Sequence, residues 1–375
     1  MTTSNERLNV LMLGESLERP GGVVAVEKAT LECAPDRLSF HHIATLPTDG
    51  RLGPLRKLIT LIGAVFALFY RLVVHRVDIV HIHVSMGASI PRKSLLARIA
   101  FLFGKPVVMH THGGAFAEHY PAMPGWMQRF VATAFRRSEA VITLAETWRR
   151  FYIDNLGIEP ARAVILKNPV KLPPDLPDRS PAPPMRMLYL GMLSEPKGAF
   201  DLIEAMALLG QEERRGLHLI MAGHGDVAEA NARVDRHGLG GCVTVHGWLN
   251  AEERDALLAE THVFVLPSHF EGLPMALLEA MSFGLAPIAT PVGGIPDVLI
   301  DDDNGLLVPP GDHAALVTAI RRLRSDDALR TRLGNAARTS VRPYAADGYA
   351  EALIDIYKLG VDKRTAEGVG PEIRA

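Results

Sequence analysis

The chain has 375 residues, 48% of them hydrophobic and 22% charged, which excludes wholesale disorder and leaves room for two or three domains. Forty lysines and arginines against 42 aspartates and glutamates give a net charge of −2, less basic than general nucleic-acid binding requires. The balance is uneven. Residues 1–180 carry 22 basic and 15 acidic side chains (+7) and residues 181–375 carry 18 and 27 (−9), so an anionic partner belongs with the first half.

Taken along the chain, Asn9 to Gly14 is a short apolar run ending at glycine and predicts a buried strand. Pro20-Gly21-Gly22 predicts a turn and Val23 to Glu32 a helix, the opening of a nucleotide-binding α/β unit. A strand at Ser39 to Ile43 follows. Leu58 to Val74 then holds 14 apolar residues in 17. Thr60, Ala64, Ala67 and Arg71 fall at helical spacing as a small, polar stripe opposite a wide apolar face. Such a helix fits a protein core first. Flanked by Arg56, Lys57, His75 and Arg76, it also fits a membrane surface, while Arg71 and its length argue against a span.

Strands at Ile79 to His83, Val107 to His110, Ala140 to Leu144 and Val164 to Leu166 continue the alternation. Seven prolines between Pro169 and Pro184 predict a linker. Strands then resume at Arg186 to Gly191, Leu217 to Ala222, Val243 to Val245, Val263 to Pro267 and Ala286 to Ala289. Helices are predicted at Phe200 to Leu209, Glu252 to Glu260, Pro274 to Phe283 and Ala314 to Arg324. The expected fold class is α/β, with two Rossmann-like, doubly wound parallel-sheet domains facing a central cleft. The expected boundaries are 1–168, a linker at 169–184, 185–343, and a C-terminal segment at 344–375. That segment is read as a helix ending near Leu359, crossing back to the first domain, and a loose tail. Cys33 and Cys242 form neither a disulfide framework nor a zinc site, and the N-terminus reads as lacking a signal peptide.

The strongest local signal is Pro267-Ser268-His269-Phe270-Glu271-Gly272-Leu273-Pro274, followed by Glu279. Pro274 suits the first turn of a helix. Glu271 then lies in the preceding loop and Glu279 roughly 7–8 Å down the helix axis. Between two carboxylates sits a helix N-terminus, which attracts phosphate. An elongated ligand with hydroxyls at both ends and phosphate between them, such as a nucleotide-sugar, fits this spacing. A capping glutamate followed by a surface glutamate fits the local residues equally well.

The surroundings resemble one family. In order, the chain carries Gly21-Gly22, His112-Gly113, Lys197-Gly198, Ala222-Gly223-His224-Gly225-Asp226, His246-Gly247-Trp248-Leu249, the two-glutamate element, Gly293-Gly294-Ile295-Pro296-Asp297, and Asn304-Gly305-Leu306-Leu307-Val308-Pro309-Pro310-Gly311-Asp312. Together these are similar to glycosyltransferase family 4, the retaining GT-B enzymes, over residues 8 to about 355. The resemblance implies a nucleotide-diphosphate-sugar donor (UDP- or GDP-linked), no metal or other cofactor, and an acceptor site in the N-terminal domain. It implies that Glu279 binds the ribose hydroxyls and Glu271 the transferred sugar. Backbone N–H groups of Gly272, Leu273 and Gly22 would face the diphosphate, Lys197 would neutralise the leaving group, and His112 would bond the donor sugar. His246, Trp248 and Leu249 would line the base pocket. Many members place an arginine five residues before the lysine; here Met192 stands there, and Arg92 is the candidate substitute.

His81 with His83, and His110 with His112, share strand faces and form two pairs. Without accompanying carboxylates or cysteines they read as hydrogen-bonding or packing residues rather than metal ligands. The loop from Ser85 to Lys93 follows a strand C-terminus, where open α/β sheets bind ligands. Ser85, Arg92 and Lys93, with Phe116 and Tyr120 of the next such loop, are the acceptor-binding candidates. The expected acceptor is a glycan or polyprenyl-diphosphate-linked sugar, at the inner face of the cytoplasmic membrane. A nucleotide-sugar epimerase, a phosphorylase and a non-catalytic binding module are the alternatives.

Overall fold

The computed structural model describes residues 7–34, 36–47, 53–113, 116–177, 179 and 184–366. The chain divides into two compact units, one of residues 1–169 with 346–375, the other of residues 170–345.

The first unit runs β1 (Leu8–Gly14), α1 (Gly22–Glu32), β2 (Leu38–Ala44), α2 (Pro54–Val74), β3 (Ile79–Val84), α3 (Ser89–Leu102), β4 (Val107–Thr111), α4 (Phe116–His119), α5 (Gly125–Arg137), β5 (Ala140–Thr143), α6 (Glu146–Leu156) and β6 (Ala163–Ile165). The second runs β7 (Met185–Leu190), α7 (Ala199–Leu208), α8 (Gln211–Arg215), β8 (Leu217–Ala222), α9 (Val227–Arg236), β9 (Val243–His246), α10 (Ala251–Glu260), β10 (Val263–Leu266), α11 (Met275–Ser282), β11 (Ala286–Ala289), β12 (Leu306–Leu307), α12 (His313–Ser325) and α13 (Asp327–Val341). The last helix, α14 (Ala346–Ala366), belongs to the first unit. It extends past the expected end near Leu359, and the remainder of the expected tail, 367–375, lies outside the described residues.

Each unit is a six-stranded parallel sheet. The orders are β2-β1-β3-β4-β5-β6 and β12-β11-β10-β7-β8-β9. Central strands are continuous apolar runs because helices cover both faces: Val10, Leu11, Met12 and Leu13 are all buried. One face of the first sheet is closed by α14, whose Tyr349, Leu353, Ile354 and Tyr357 pack with Val10, Ile79, Val108 and Ile142. In both sheets the order reverses beside the first strand of the unit, between β1 and β3 and between β7 and β10. Ligands of open α/β sheets bind at such reversals, beyond the carboxyl ends of the strands.

Helix α2 meets the core expectation on one side only. Leu68 and Leu72 join the first unit's core, with Leu61 and Val65 packed against that core, Ala64 buried, and Thr60, Ala67 and Arg71 half-buried. The wide apolar face is exposed, Phe66 by 71%.

Candidate functional site

In the second unit, β7 and β10 deliver the loops that carry the candidate donor residues. After β7 the chain turns through Gly191 and Met192 to a single 3-10 turn at Glu195–Lys197. Gly198 follows at φ +64°, and a Cβ there would lie 2.0 Å from the Pro267 carbonyl oxygen. Only glycine lets the Lys197 turn approach the loop after β10 so closely. His269 N–H donates to the Pro196 carbonyl at 3.0 Å, and Ser268 Oγ lies 3.3 Å from the Lys197 carbonyl oxygen. Gly293 serves the same purpose from the other side, since a Cβ on it would meet the Glu271 carbonyl oxygen at 2.0 Å.

Lys197 and Glu271 meet within this packed loop pair. Lys197 Nζ lies 2.9 Å from Glu271 Oε2 and donates to the Phe270 carbonyl at 3.0 Å. Ser268 Oγ donates to Glu271 Oε1 at 2.9 Å. Both oxygens of a buried carboxylate are therefore satisfied. Tyr189 lies beneath them. Its hydroxyl donates to the Met192 carbonyl at 2.7 Å, and burial and the Glu271 charge hold it well above the usual phenol range. Gly272 and Leu273 follow, with Pro274 as the cap residue of α11 rather than its first helical residue.

Glu279, on α11, is half-buried and pairs with Arg254 Nη1 of α10 at 3.1 Å. Burial pushes its carboxyl up to about 7, opposed by Arg254 and reinforced by Asp255. At the end of β9, His246 and Trp248 are exposed and Leu249 is half-buried, and the Trp248 ring lies 5.8 Å from His224. Met192 is 41% exposed, with no basic side chain in its place.

In the first unit, the ends of β1 and β3 bring Glu15, Arg19 and Ser85 together. Arg19 Nε is 3.0 Å from Glu15 Oε2, and Ser85 Oγ is 3.4 Å from Glu15 Oε1. Arg92 is half-buried; burial lowers its pKa against the pull of Glu15, and its Nε has no hydrogen-bond partner among the described residues. Gly22 begins α1 with open space where a Cβ would stand. Three expected acceptor contacts point elsewhere. Lys93 is fully buried and donates to the Leu13 and Gly14 carbonyls at 2.7 and 3.1 Å, with burial pushing its ammonium down to about 7. Phe116 and Tyr120 are buried and pack on one another at 5.8 Å, and Phe116 packs on Phe135 and Tyr152. These side chains hold the loops instead of facing a ligand.

The four histidines form one array. His83 Nδ1 is 2.7 Å from His112 Nε2, His81 Nε2 is 3.2 Å from His110 Nδ1, and His81 Nδ1 is 2.6 Å from the Tyr357 hydroxyl of α14. The His83 and His112 rings stack at 4.9 Å and 4°. Burial drives all four pKa values down, His81 and His112 to about 3. Ring nitrogens of His81, His83 and His110 lie within 4.8 Å of one another. Within that trio His81 already spends both ring nitrogens on hydrogen bonds, Nε2 with His110 and Nδ1 with Tyr357.

Residues 9–169 match the family described as glycosyl transferase 4-like domain, and residues 178–340 match glycosyl transferases group 1. The chain belongs to the GT-B glycosyltransferases. It is 28% identical over 288 residues to the amylovoran biosynthesis glycosyltransferase of Erwinia amylovora, covering 70% of this chain and 65% of that one. It is 28% identical over 272 residues to the glycogen synthase of Mycobacterium tuberculosis, covering 70% and 64%. The match thus spans a little under two thirds of either relative. Among solved structures, an Anabaena protein in complex with UDP and glucose superposes with a TM-score of 0.73 at 17% identity, covering 94% of this chain and 100% of that one. Sucrose-phosphate synthase from Thermosynechococcus elongatus superposes at 0.74 and 20%, covering 94% and 98%. Both likenesses are of fold.

The residues that sequence reasoning missed act through others. Arg254 faces Glu279, Tyr189 ties the Met192 and Lys197 carbonyls together, and Asp201 joins His269 to His313 at 2.6 and 2.9 Å. Burial raises the Asp201 carboxyl, but hydrogen bonds from His313 and His269 outweigh it and hold the carboxyl below its usual range. No local spacing signals these partners; each arrives from a different element.

Proposed function

We propose that this glycosyltransferase moves a sugar from a UDP- or GDP-linked donor to a glycan or polyprenyl-diphosphate-linked acceptor, with retention at the anomeric carbon and without a metal. The carrying observation is the Lys197–Glu271 pair at the β7/β10 reversal, beside the start of α11. There a fixed cation and a carboxylate with two accepting oxygens stand together. Lys197 neutralises negative charge as the nucleotide diphosphate leaves, an interaction strongest in the transition state. Glu271 bonds hydroxyls of the transferred sugar, and Glu279 accepts from the ribose diol. The N–H groups of Gly272 and Leu273 meet the diphosphate at a helix N-terminus. The family resemblance assigns Gly22 and His112 to the donor, His246, Trp248 and Leu249 to the base, and the first unit to the acceptor. Ser85 and Arg92 remain acceptor candidates. The +7 charge of residues 1–180 supports work at the anionic inner face of the cytoplasmic membrane.

The test is acceptor-dependent release of nucleotide diphosphate across a panel of UDP- and GDP-sugars, with the product's anomeric configuration read by NMR. Release with one donor class and a retained configuration is expected. No release with any donor would sink the reading, and inversion would sink its stereochemical part.

A further inference from the structure

We propose that α2 lies in an anionic bilayer surface with its apolar face inserted. The inference deepens the membrane-side reading above and rests on it for the identity of the surface. A helix packed on a protein normally turns its apolar stripe inward and its polar face to water. Helix α2 is apolar on both sides. It seats on the first unit through Ala64, Leu68 and Leu72, each at most 6% exposed, with Leu61 and Val65 packed partly buried beside them. Around it, nine large apolar side chains are each at least 46% exposed, among them Leu58, Ile59, Ile62, Phe66, Phe69 and Val73. Phe69 also meets Phe103 edge-on at 5.4 Å, which joins the patch to the end of α3, where Leu102 is exposed. Exposed apolar patches of this extent mark an interaction site.

Charge selects the occupant. The first turn of α2 holds Arg56 and Lys57, both exposed, and its end is followed by exposed His75 and Arg76, the latter paired with Asp78 at 3.1 Å. No acidic residue lies in the helix. Its 21 residues extend about 31 Å, long enough to cross a bilayer. The buried stripe excludes crossing, because Leu68 and Leu72 are part of the first unit's core. A parallel pair with a second copy is disfavoured as well. It would set Arg56 and Lys57 against their own copies, with no acidic residue in either helix to pair them. Lipid phosphates pair with Arg56 and Lys57 while the acyl boundary takes the apolar face, the pattern of an interfacial helix.

The test is sedimentation of the full chain with phosphatidylglycerol-containing vesicles. The wild type is compared with Phe66→Asp and with the pair Ile62→Asp, Phe66→Asp. Both positions are exposed, so circular dichroism and thermal midpoint should match the wild type. Partitioning should fall at least tenfold in Phe66→Asp and further in the pair. Acceptor-independent donor hydrolysis without vesicles should be unchanged. Absence of wild-type binding, or equal binding by the variants, overturns the proposal. So does a wild-type dimer that the substitutions render monomeric while vesicle binding is unaffected. Failure of donor turnover in every variant and the wild type would instead strike the glycosyl-transfer reading and leave the vesicle result standing.

Discussion

Lys197 Nζ and Glu271 Oε2 lie 2.9 Å apart, from loops 74 positions apart in sequence that converge at one strand reversal. The residue expected to hold the sugar is thus already held by the residue expected to hold the diphosphate. A ligand entering here exchanges one hydrogen bond for another rather than desolvating a bare charge. The carboxylate is fixed by Ser268 and the ammonium by the Phe270 carbonyl, so neither group must reorganise as charge develops.

Replacing Glu271 by Gln should therefore lower kcat more than it raises the donor KM. A charge-assisted hydrogen bond is worth about 1.5–3 kcal/mol, so losses of roughly 10- to 150-fold are expected. Lys197→Ala should lower kcat at least as much and also cost stability of about 1–3 kcal/mol, because a buried carboxylate loses its cation. Steady-state kinetics and urea unfolding separate the two effects. If Glu271→Gln keeps its kcat, the sugar-binding role is wrong.

Glu279 should give donor binding a pH limb. With its carboxyl pushed up to about 7, it is ionised and accepts from a diol above that pH, and it protonates below. Donor KM should rise as pH falls from 8 to 6, and Glu279→Gln should flatten that rise while raising KM at pH 8. The stability sign is opposite. Between the unfolded carboxyl range, near 4.5, and about 7, the folded chain holds a proton that the unfolded chain has lost, so stability attributable to Glu279 declines as pH rises. Glu279→Gln should accordingly gain on the wild type in thermal midpoint between pH 5 and 8. A pH-independent difference in both assays would contradict this account.

The histidine array should stay neutral across physiological pH. Imidazole NMR signals of His81 and His112 should not titrate between pH 8 and 5, since both are depressed to about 3 by burial. The unfolded chain takes up protons near 6.5 that the folded array refuses, so stability is full above that value and falls as pH drops below it. The thermal midpoint should decline from pH 7 to 5. Chelation should leave both turnover and this profile unaltered. Activity lost to a chelator and restored by a divalent ion would make the gathered nitrogens of His81, His83 and His110 a metal site.

Two glycines separate backbone strain from collision. Gly198 and Gly238 share nearly the same φ, +64° and +63°, but a Cβ strikes the Pro267 carbonyl in the first and nothing within 4 Å in the second. Gly238→Ala should cost about 1 kcal/mol, the strain of a left-handed residue. Gly198→Ala should cost markedly more and depress turnover, because Lys197 must move with its turn. Equal losses in thermal unfolding would remove the close approach as the reason for glycine at 198.

Much of the architecture was legible because its signals are local. Strand runs such as Val10–Leu13 are apolar throughout because parallel strands are covered on both faces, and the alternation of runs with helical patterns implies the parallel sheets. Glycine and proline punctuation marked the loops around Lys197 and Glu271, since positive φ and close approach leave few other residues possible. Burial and pairing are sums over distant elements, and these the sequence left undecided. Lys93, Phe116 and Tyr120 carry chemistry that suits a ligand, but only packing against β1, α5 and α6 shows that they serve the core. Arg254 has no sequence pattern tying it to Glu279, as helices α10 and α11 must first be set side by side. The orientation of α2 was beyond reach for the same reason: periodicity separates two faces of a helix, and only the surface beneath it decides which one water meets.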